Sequence, residues 1–315
     1  MLLSVVLITH NEEANLARTL ASVQPLVAGG QGEIIVVDSH STDRTLEIAK
    51  SYNAKVFLED WKGFAAQKNS AIDKAEWDWI LSLDADEELE SALVTAISDV
   101  IEKPEAPTTR EIENMTRSLG LDSLASVEAV MATEEALNIE LPDSSRKNAP
   151  PNKRPAEDLP VSVTGYWLRR KNFFLGRWIK RGGYWPDPKL RLFRRGYGRF
   201  ENRLVHEDIR VDGPTAEIES GALLHHSYPT LSDYIEHMNR YSSLGAEMAL
   251  AKGPLRFPVL DIFFRPVLTF AYNYIFRLGF LDGHEGFLLH VNHAIYVSWK
   301  YAKAWELAQK TSAQK

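Results

Sequence analysis

Residues 80–88, ILSLDADEE, decide the fold. An apolar run, Ile80 to Leu83, ends in Asp84-Ala85-Asp86, the pattern of a buried β-strand that delivers two carboxylates, two residues apart, at its C-terminal edge. Open α/β sheets bind their ligands at that edge. Alternate strand residues share a face, so Asp84 and Asp86 can hold one hard cation, Mg²⁺ or Mn²⁺, between them, and such cations also bridge diphosphates. An Asp-x-Asp taken alone is more often a solvated loop, so the decision rests on its surroundings.

Upstream, Leu2 to Thr9 is an apolar, β-branched run suited to a central parallel strand, and Glu33 to Asp38, EIIVVD, is a second. Between them, Asn11 to Val23 places Leu16, Leu20 and Val23 on one helical face. Ser41 to Tyr52 predicts a helix with Ser41 or Thr42 as N-cap and Thr45, Ile48, Ala49 and Tyr52 facing inward. A short strand (Ala54 to Leu58), a helix (Gly63 to Ala75) and the strand from Trp77 to Leu83 complete the series. Strands alternating with helices at this spacing predict βαβ units and a doubly wound α/β fold, a mostly parallel sheet flanked by helices. No GxGxxG follows the first strand, which argues against a dinucleotide-binding fold. Polar residues collect where strands end: Thr9-His10-Asn11-Glu12 after the first, and Asp38-Ser39 after the second with Asp43 close by. Gln67-Lys68-Asn69 lies on the helix before the fourth.

At 315 residues, with 44% hydrophobic side chains, the chain can bury the core of one large domain with an appendage, or of two domains. It has no cysteine, which excludes disulfide frameworks, thiolate metal sites and thiol nucleophiles and is compatible with a reducing cytosol. The opening MLLSVVLITHNEE lacks a basic n-region and a small-residue cleavage site, and reads as a first strand rather than a signal peptide. The net charge of −7 is unevenly spread. Gly165 to Arg210 holds thirteen Lys and Arg against four acids (Asp187, Glu201, Glu207 and Asp208), with ten aromatics interleaved. That mixture suits a phosphorylated saccharide, anionic lipid headgroups or single-stranded nucleic acid. No RNA-binding signature accompanies it, and no nucleic-acid partner is expected.

Thr9-x-Asn11-Glu12, the stretch VDSHSTDRT (37–45), the Lys68-Asn69 helix and DADEE (84–88) stand in the order and spacing of one known family. The chain resembles the nucleotide-sugar domain of glycosyltransferase family 2, the GT-A fold, from Leu2 to about Ile97 and again from near Gly165. NFFLGRWIKRGGYWPDPKLRLFRRG (172–196), followed by RLVHE (203–207), resembles the acceptor half of bacterial lipopolysaccharide-core glucosyltransferases of the WaaE type. The resemblance implies that Thr9, Asn11 and Glu12 line the nucleotide pocket and that Asp38 contacts the nucleoside, with Asp43 and Lys68 around it. It also implies that Asp84 lies beside the ribose and diphosphate while Asp86 holds the Mg²⁺ or Mn²⁺. The plain alternative for Thr9 and Asn11 is a strand-end turn, and for Asp43 a helix N-terminal acid favoured by the dipole.

Single-displacement transfer with inversion needs a carboxylate to take the proton of the acceptor hydroxyl. By similarity, Glu207 of Val205-His206-Glu207 is that base, with Asp187 of Trp185-Pro186-Asp187 as the second candidate. His206 completes the metal or diphosphate site, or else is a packed histidine bonded to the backbone. Arg191, Arg194 and Trp185 are candidates for acceptor or phosphate contacts. The expected donor is a UDP-sugar, with glucose as the sugar, and the expected acceptor a lipid-linked saccharide of the lipopolysaccharide core. Polyprenyl-phosphate sugar transfer is the alternative that uses the same domain.

From Tyr228 the chain reads as helical: Leu231 to Lys252, Leu260 to Leu278, and Gly286 to Gln309. Its longest uncharged stretches, Pro266 to Phe276 and Gly286 to Trp299, hold 11 and 14 residues, against the roughly 20 of a spanning helix. Phe263, Phe264, Phe270, Tyr274 and Phe276, beside Arg265, Arg277, Lys300 and Lys303, fit either packing on the sheet or an interfacial surface. A lipid-linked acceptor places the expected enzyme in the cytoplasm, peripheral on the inner face of the bacterial cytoplasmic membrane.

Residues 108–145 resemble part of an acyl carrier protein. Gly120-Leu121-Asp122-Ser123-Leu124 matches the phosphopantetheine attachment motif, with Ser123 at the modified position, and the stretch holds eight acids against two arginines. About 35 residues are half a carrier, and a bundle missing two helices cannot bury its apolar face alone. A helical insertion packed on or beside the sheet is therefore expected, and phosphopantetheine is not expected as a cofactor. The competing class, a carrier presenting this arm on a degenerate transferase domain, is disfavoured by the intact DADEE and His206-Glu207. The chain thus divides into a nucleotide-sugar half (1–101), an acidic helical insertion with a Pro-rich linker (102–160), an acceptor half (161–227) and a C-terminal helical extension (228–315).

Overall fold

The computed structural model describes residues 2–102, 163–201, 208–253 and 257–313. The carrier-like stretch with Ser123, and the pair His206 and Glu207, lie outside the described residues.

The first half alternates as the pattern requires. In chain order it comprises β1 (Leu3–Thr9), α1 (Leu16–Val27), β2 (Gly32–Asp38), α2 (Thr45–Ser51) and β3 (Lys55–Leu58). There follow α3 (Phe64–Asp73), β4 (Trp79–Leu83), β5 (Glu87–Leu89) and α4 (Ser91–Glu102). The period of two along each strand feeds two cores. Leu3, Val5 and Leu7 of β1, with Ile34 and Val36 of β2 and Trp79, Leu81 and Leu83 of β4, pack with α1 and α4. Val6, Ile35, Val37 and Ile80 pack on the opposite face with α3.

Both α1 and α2 start later than periodicity alone predicts, because the polar residues before them are spent on turns. Asn11 adopts the left-handed region at φ 57°, so α1 begins only at Leu16. Ser41 and Thr42 do not cap α2. Their N–H groups donate to Asp38 Oδ1 at 2.7 Å and Asn11 Oδ1 at 2.8 Å, while Asp43 Oδ1 accepts the Thr45 N–H at 3.0 Å.

The second half adds β6 (Gly165–Phe174), β7 (Arg177–Trp178), β8 (Asp187–Arg194), β9 (Gly198–Phe200), β10 (Ile209–Val211) and β11 (Thr215–Tyr228). These are followed by α5 (Leu231–Ala251), α6 (Arg265–Phe270) between π-helical turns at Leu260–Phe264 and Ala271–Phe276, and α7 (Gly283–Ala313). One nine-stranded sheet runs through both halves in the order β3-β2-β1-β4-β8-β6-β11-β5, with β7 on β6, while β9 and β10 pair separately. The parallel expectation holds for β3-β2-β1-β4 and for β6 with β11. Strand β8 runs antiparallel to both β4 and β6, and β5 antiparallel to β11, so the whole sheet is mixed. Gly221, at φ 74°, sits where the register of β11 on β6 breaks between Ile218 and Leu223; a Cβ there would meet the Leu93 nitrogen at 2.3 Å. Among the described residues, no helix is long and apolar enough to cross a membrane.

Helix α3 is tied to the segment after β3 by Glu59, which accepts from Lys74 Nζ at 2.5 Å, Ser70 Oγ at 2.7 Å and Lys62 Nζ at 2.9 Å. Lys74, then Ser70 and Lys62, hold the Glu59 carboxyl down at about 2, against an ordinary 4.5. A depressed carboxyl stabilises the fold above its unfolded value and loses that contribution as pH falls toward the folded one. Glu59→Gln is therefore expected to cost about 1 kcal/mol at neutral pH, after discounting for solvent screening. The cost should shrink as pH falls from 4.5 toward 2, which urea titrations of both proteins across that range would measure.

Candidate active site

Strand β4 stops at Leu83, and the Asp84-Ala85-Asp86 segment turns, the Glu87 N–H donating to the Asp84 carbonyl at 3.1 Å. The strand alternation that would place both carboxylates on one face ends there. Asp84 meets Lys68 Nζ at 2.7 Å through one oxygen and Arg191 Nη2 at 2.5 Å through the other. Asp86 meets His225 Nε2 at 3.3 Å. The two aspartates thus differ in their surroundings: Asp84 has its charge balanced by two fixed cations, whereas Asp86 faces a histidine. Burial pushes the Asp84 carboxyl up, but the charges of Arg191 and Lys68 outweigh it and hold it well below the usual range. For Asp86 burial again opposes ionisation, and the neighbouring His225 lowers it.

Arg191, expected at an acceptor or phosphate, is instead buried as the centre of an ion-pair network. It also meets Glu87 Oε1 at 2.7 Å, and Glu87, 0% exposed, takes Arg170 Nη1 at 3.3 Å. Burial acts to lower the Arg191 guanidinium, and Asp84 and Glu87 more than reverse it. Arg194, only three residues on, is corrected further. Because β8 is antiparallel to β4, Arg194 pairs with Trp79, at the start of β4, and lies over that ring at 5.4 Å, at the opposite end of the strand from Asp84.

His225 reaches Asp86 because β11 pairs antiparallel with β5, setting His225 against Glu87, and because the His226 N–H donates to the Asp86 carbonyl at 3.2 Å. Asn172 orients the ring. Its amide nitrogen donates to Asp187 Oδ2 at 3.0 Å, which leaves Oδ1 facing His225 Nδ1 at 2.9 Å. Nδ1 thus faces Asn172 Oδ1, and also Ser227 Oγ at 2.7 Å, while Nε2 faces the Asp86 carboxylate. Two electron-rich atoms 3.3 Å apart call for a proton or a metal cation between them. One oxygen and one nitrogen donor fit a divalent cation that takes its other ligands elsewhere. Among the described residues no group of three or more His, Cys, Asp or Glu forms a complete metal site.

On the nucleotide side, the side-by-side register of β1 and β2 sets Thr9 Oγ1 at 2.7 Å from Asp38 Oδ2. Asp38, 0% exposed, also accepts from the Ser41 hydroxyl at 2.5 Å. Thr9 and Asp38 therefore form the buried floor of the edge rather than its lining. Asn11 and Asp43 hold the turns above it: the Asn11 N–H donates to Ser41 Oγ at 2.8 Å, and Asp43 Oδ2 accepts the Glu13 N–H at 3.1 Å. Glu12 borders the acidic cleft. Burial, then the charges of Asp86, Asp43 and Asp84, push its carboxyl up, with Asn15 opposing.

On the basic side, Asp187 meets Arg170 Nη2 at 2.7 Å and Lys189 Nζ at 3.1 Å. Burial raises its carboxyl, and Arg170, Asn172 and Lys189 lower it further than that, which makes it a weak proton acceptor. Trp185 packs edge-on against Trp178, ring centroids 5.3 Å apart. Phe200 N–H donates to Asn69 Oδ1 at 2.9 Å, its ring lies 5.1 Å from Lys68 Nζ, and the Glu201 N–H donates to the Asp208 carbonyl at 3.1 Å. Phe200 is thus held beside Lys68 and Asn69, and Asp208 pairs with Glu201 next to it. Sequence reasoning passed over His225, Asn172 and Glu87; its available signals were two histidines at the end of a strand-like run and the first glutamate of DADEE.

A family model described as Glycosyl transferase family 2 matches residues 4–196. The chain is 27% identical over 316 residues to the lipopolysaccharide core biosynthesis glycosyltransferase LpsC of Rhizobium meliloti, covering 96% of this chain and 92% of that protein. It is 45% identical over 91 residues to an uncharacterized glycosyltransferase of Rickettsia typhi, covering 29% of this chain and 30% of that one. Among solved structures, glucosyl-3-phosphoglycerate synthase from Mycobacterium tuberculosis, in complex with Mn²⁺, UDP and glucosyl-3-phosphoglycerate, is 28% identical. That likeness covers 32% of this chain and 38% of that one, with a TM-score of 0.27.

Proposed function

The chain belongs to glycosyl transferase family 2, and from that premise we propose that it moves a hexose from a UDP-sugar to a lipid-carried saccharide of the lipopolysaccharide-core type. It is a glycosyltransferase with the GT-A α/β fold. The observation that carries the proposal is the Asp86–His225 pair at 3.3 Å beside an Asp84 whose charge is already balanced by Lys68 and Arg191. Such an edge offers one open site for a diphosphate-bridging cation without an excess of negative charge to repel the diphosphate. The lipopolysaccharide-core acceptor, and glucose as the sugar, follow the resemblance and the name of the Rhizobium relative. A lipid-carried acceptor would be met at the cytoplasmic face of the membrane.

In the reaction the acceptor hydroxyl oxygen bonds to the anomeric carbon as the bond from that carbon to the diphosphate oxygen breaks, and UDP leaves with the electron pair. A Mg²⁺ or Mn²⁺ ion held by Asp86 and His225 would supply positive charge to the departing diphosphate, and the imidazole donor favours Mn²⁺. Asn172 and Ser227 hold the Nδ1 side of His225, which leaves Nε2 toward the site. Lys68 and Arg191 keep Asp84 ionised and in place. The acceptor proton passes to a carboxylate; Glu207 is assigned that role by similarity, supported by the weak basicity of the ion-paired Asp187. The test is a panel of nucleotide sugars with Mn²⁺ or Mg²⁺, followed by release of the nucleoside diphosphate. UDP release from one UDP-hexose, lost with chelator, is expected; release only from a GDP- or dTDP-sugar, or none at all, would overturn the donor assignment.

A further inference from the structure

The helical segment from 257 to 281 carries its apolar stripe on the outside. Leu260, Phe263, Phe264, Val267, Leu268 and Phe276 recur at helical spacing, and their exposure runs from 48% at Leu260 to 76% at Phe276. A surface helix of a globular domain ordinarily buries that stripe. Here α6 buries only Pro266. Past the end of the stripe lies a pocket of about 420 Å³, where Arg177, Lys180 and Arg181 gather with Leu281. The two features are built as one surface. The Gly182 N–H donates to the Arg277 carbonyl at 3.1 Å, and the buried Asp282 carboxylate accepts the N–H groups of Lys180 at 3.2 Å and Arg181 at 2.7 Å. Leu281, 52% exposed, lines the pocket and continues the apolar face. Asp282 therefore fixes the backbone of this turn while the side chains of Lys180 and Arg181 stay exposed. Arg177, also exposed, meets Glu285 at 3.4 Å, and Lys180 lies 4.4 Å from the Trp178 ring centroid.

We propose that this surface docks the enzyme on an anionic phospholipid bilayer, the apolar stripe entering the interface and Arg177, Lys180 and Arg181 taking lipid phosphates. An apolar stripe that ends at a net-basic cluster, Arg177, Lys180 and Arg181 against Glu285 and the buried Asp282, is complementary to a layer that offers acyl chains and phosphates side by side. The proposal rests on this surface alone and not on which sugar or acceptor the enzyme uses.

Flotation of the full chain with vesicles tests it. The protein is expected to float with phosphatidylcholine vesicles containing about one third phosphatidylglycerol and to stay behind with phosphatidylcholine alone. The exposed-site double variant Phe263→Ser with Leu268→Ser should lose most of the binding. Arg177→Gln, Lys180→Gln and Arg181→Gln together should weaken it by about fivefold per charge and make the remainder insensitive to salt. UDP release measured without vesicles reads the transferase reaction separately and should be unchanged in both variants, as should circular dichroism. The proposal is overturned if the parent protein does not float, if it floats equally on uncharged vesicles, or if the charge variant binds like the parent. It is also overturned if the parent sediments as a dimer that the Phe263 and Leu268 changes separate, since this face would then be a contact between two copies of the chain.

Discussion

Asp86→Ala is expected to lower metal-dependent UDP release by about a thousandfold or more, with the fold unchanged. The size follows from where the carboxylate stands. It is the charged oxygen donor facing His225 Nε2 at 3.3 Å, and Asp84 is a poor substitute, because Lys68 and Arg191 already balance its charge. The fold survives because what Asp86 gives to the architecture comes from its main chain: its carbonyl accepts the His226 N–H at 3.2 Å, and alanine keeps that bond. His225 also keeps its place through Asn172 at 2.9 Å and Ser227 at 2.7 Å. The measurement is UDP release with Mn²⁺ and with chelator, beside a thermal melt. Full turnover by the variant in chelator would remove the metal assignment.

The largest loss of stability is expected from Glu87→Ala, about 3–5 kcal/mol. Glu87 is 0% exposed and serves three donors: Arg191 at 2.7 Å, Arg170 at 3.3 Å and the Asp84 N–H at 3.1 Å. Removing it leaves a buried guanidinium without half of its compensation and an amide without an acceptor, which costs far more than the pair contributes when intact. Glu87 lies on β5, whereas Arg170 and Arg191 come from β6 and β8, so the network joins the two halves of the sheet next to Asp84 and Asp86. Glu87→Gln, which can still accept the Asp84 N–H, should lose less. Urea unfolding at neutral pH compares the two, and a loss below about 1 kcal/mol for the alanine variant would show that the halves are held together by apolar packing instead.

The first half of the fold was legible because its information is local. The period of two in β1, β2 and β4 sorts Val5 and Leu7 from Val6, and Trp79 and Leu81 from Ile80, into two cores without reference to distant residues. The C-terminal edge of the parallel strands, and the place of Asp86 at the end of β4, followed from the same reading. Polar residues near that edge were harder to sort, since Thr9, Asp38, Asn11 and Asp43 meet the same compositional test whether they touch a ligand or lock a turn. Here their partners are one another and the neighbouring backbone.

What the sequence by itself determined is the α/β architecture, the position of the acidic edge, and the family to which the chain belongs. Only the tertiary structure decided which side chains meet there. His225 faces Asp86 because β11 lies against β5 in one register. Arg191 sits at the site and Arg194 at the far end of the same strand because β8 runs antiparallel to β4. The physical reason is that pairing between distant strands depends on how whole faces pack, and a shift or reversal of one strand changes every neighbour without altering a residue of its local pattern.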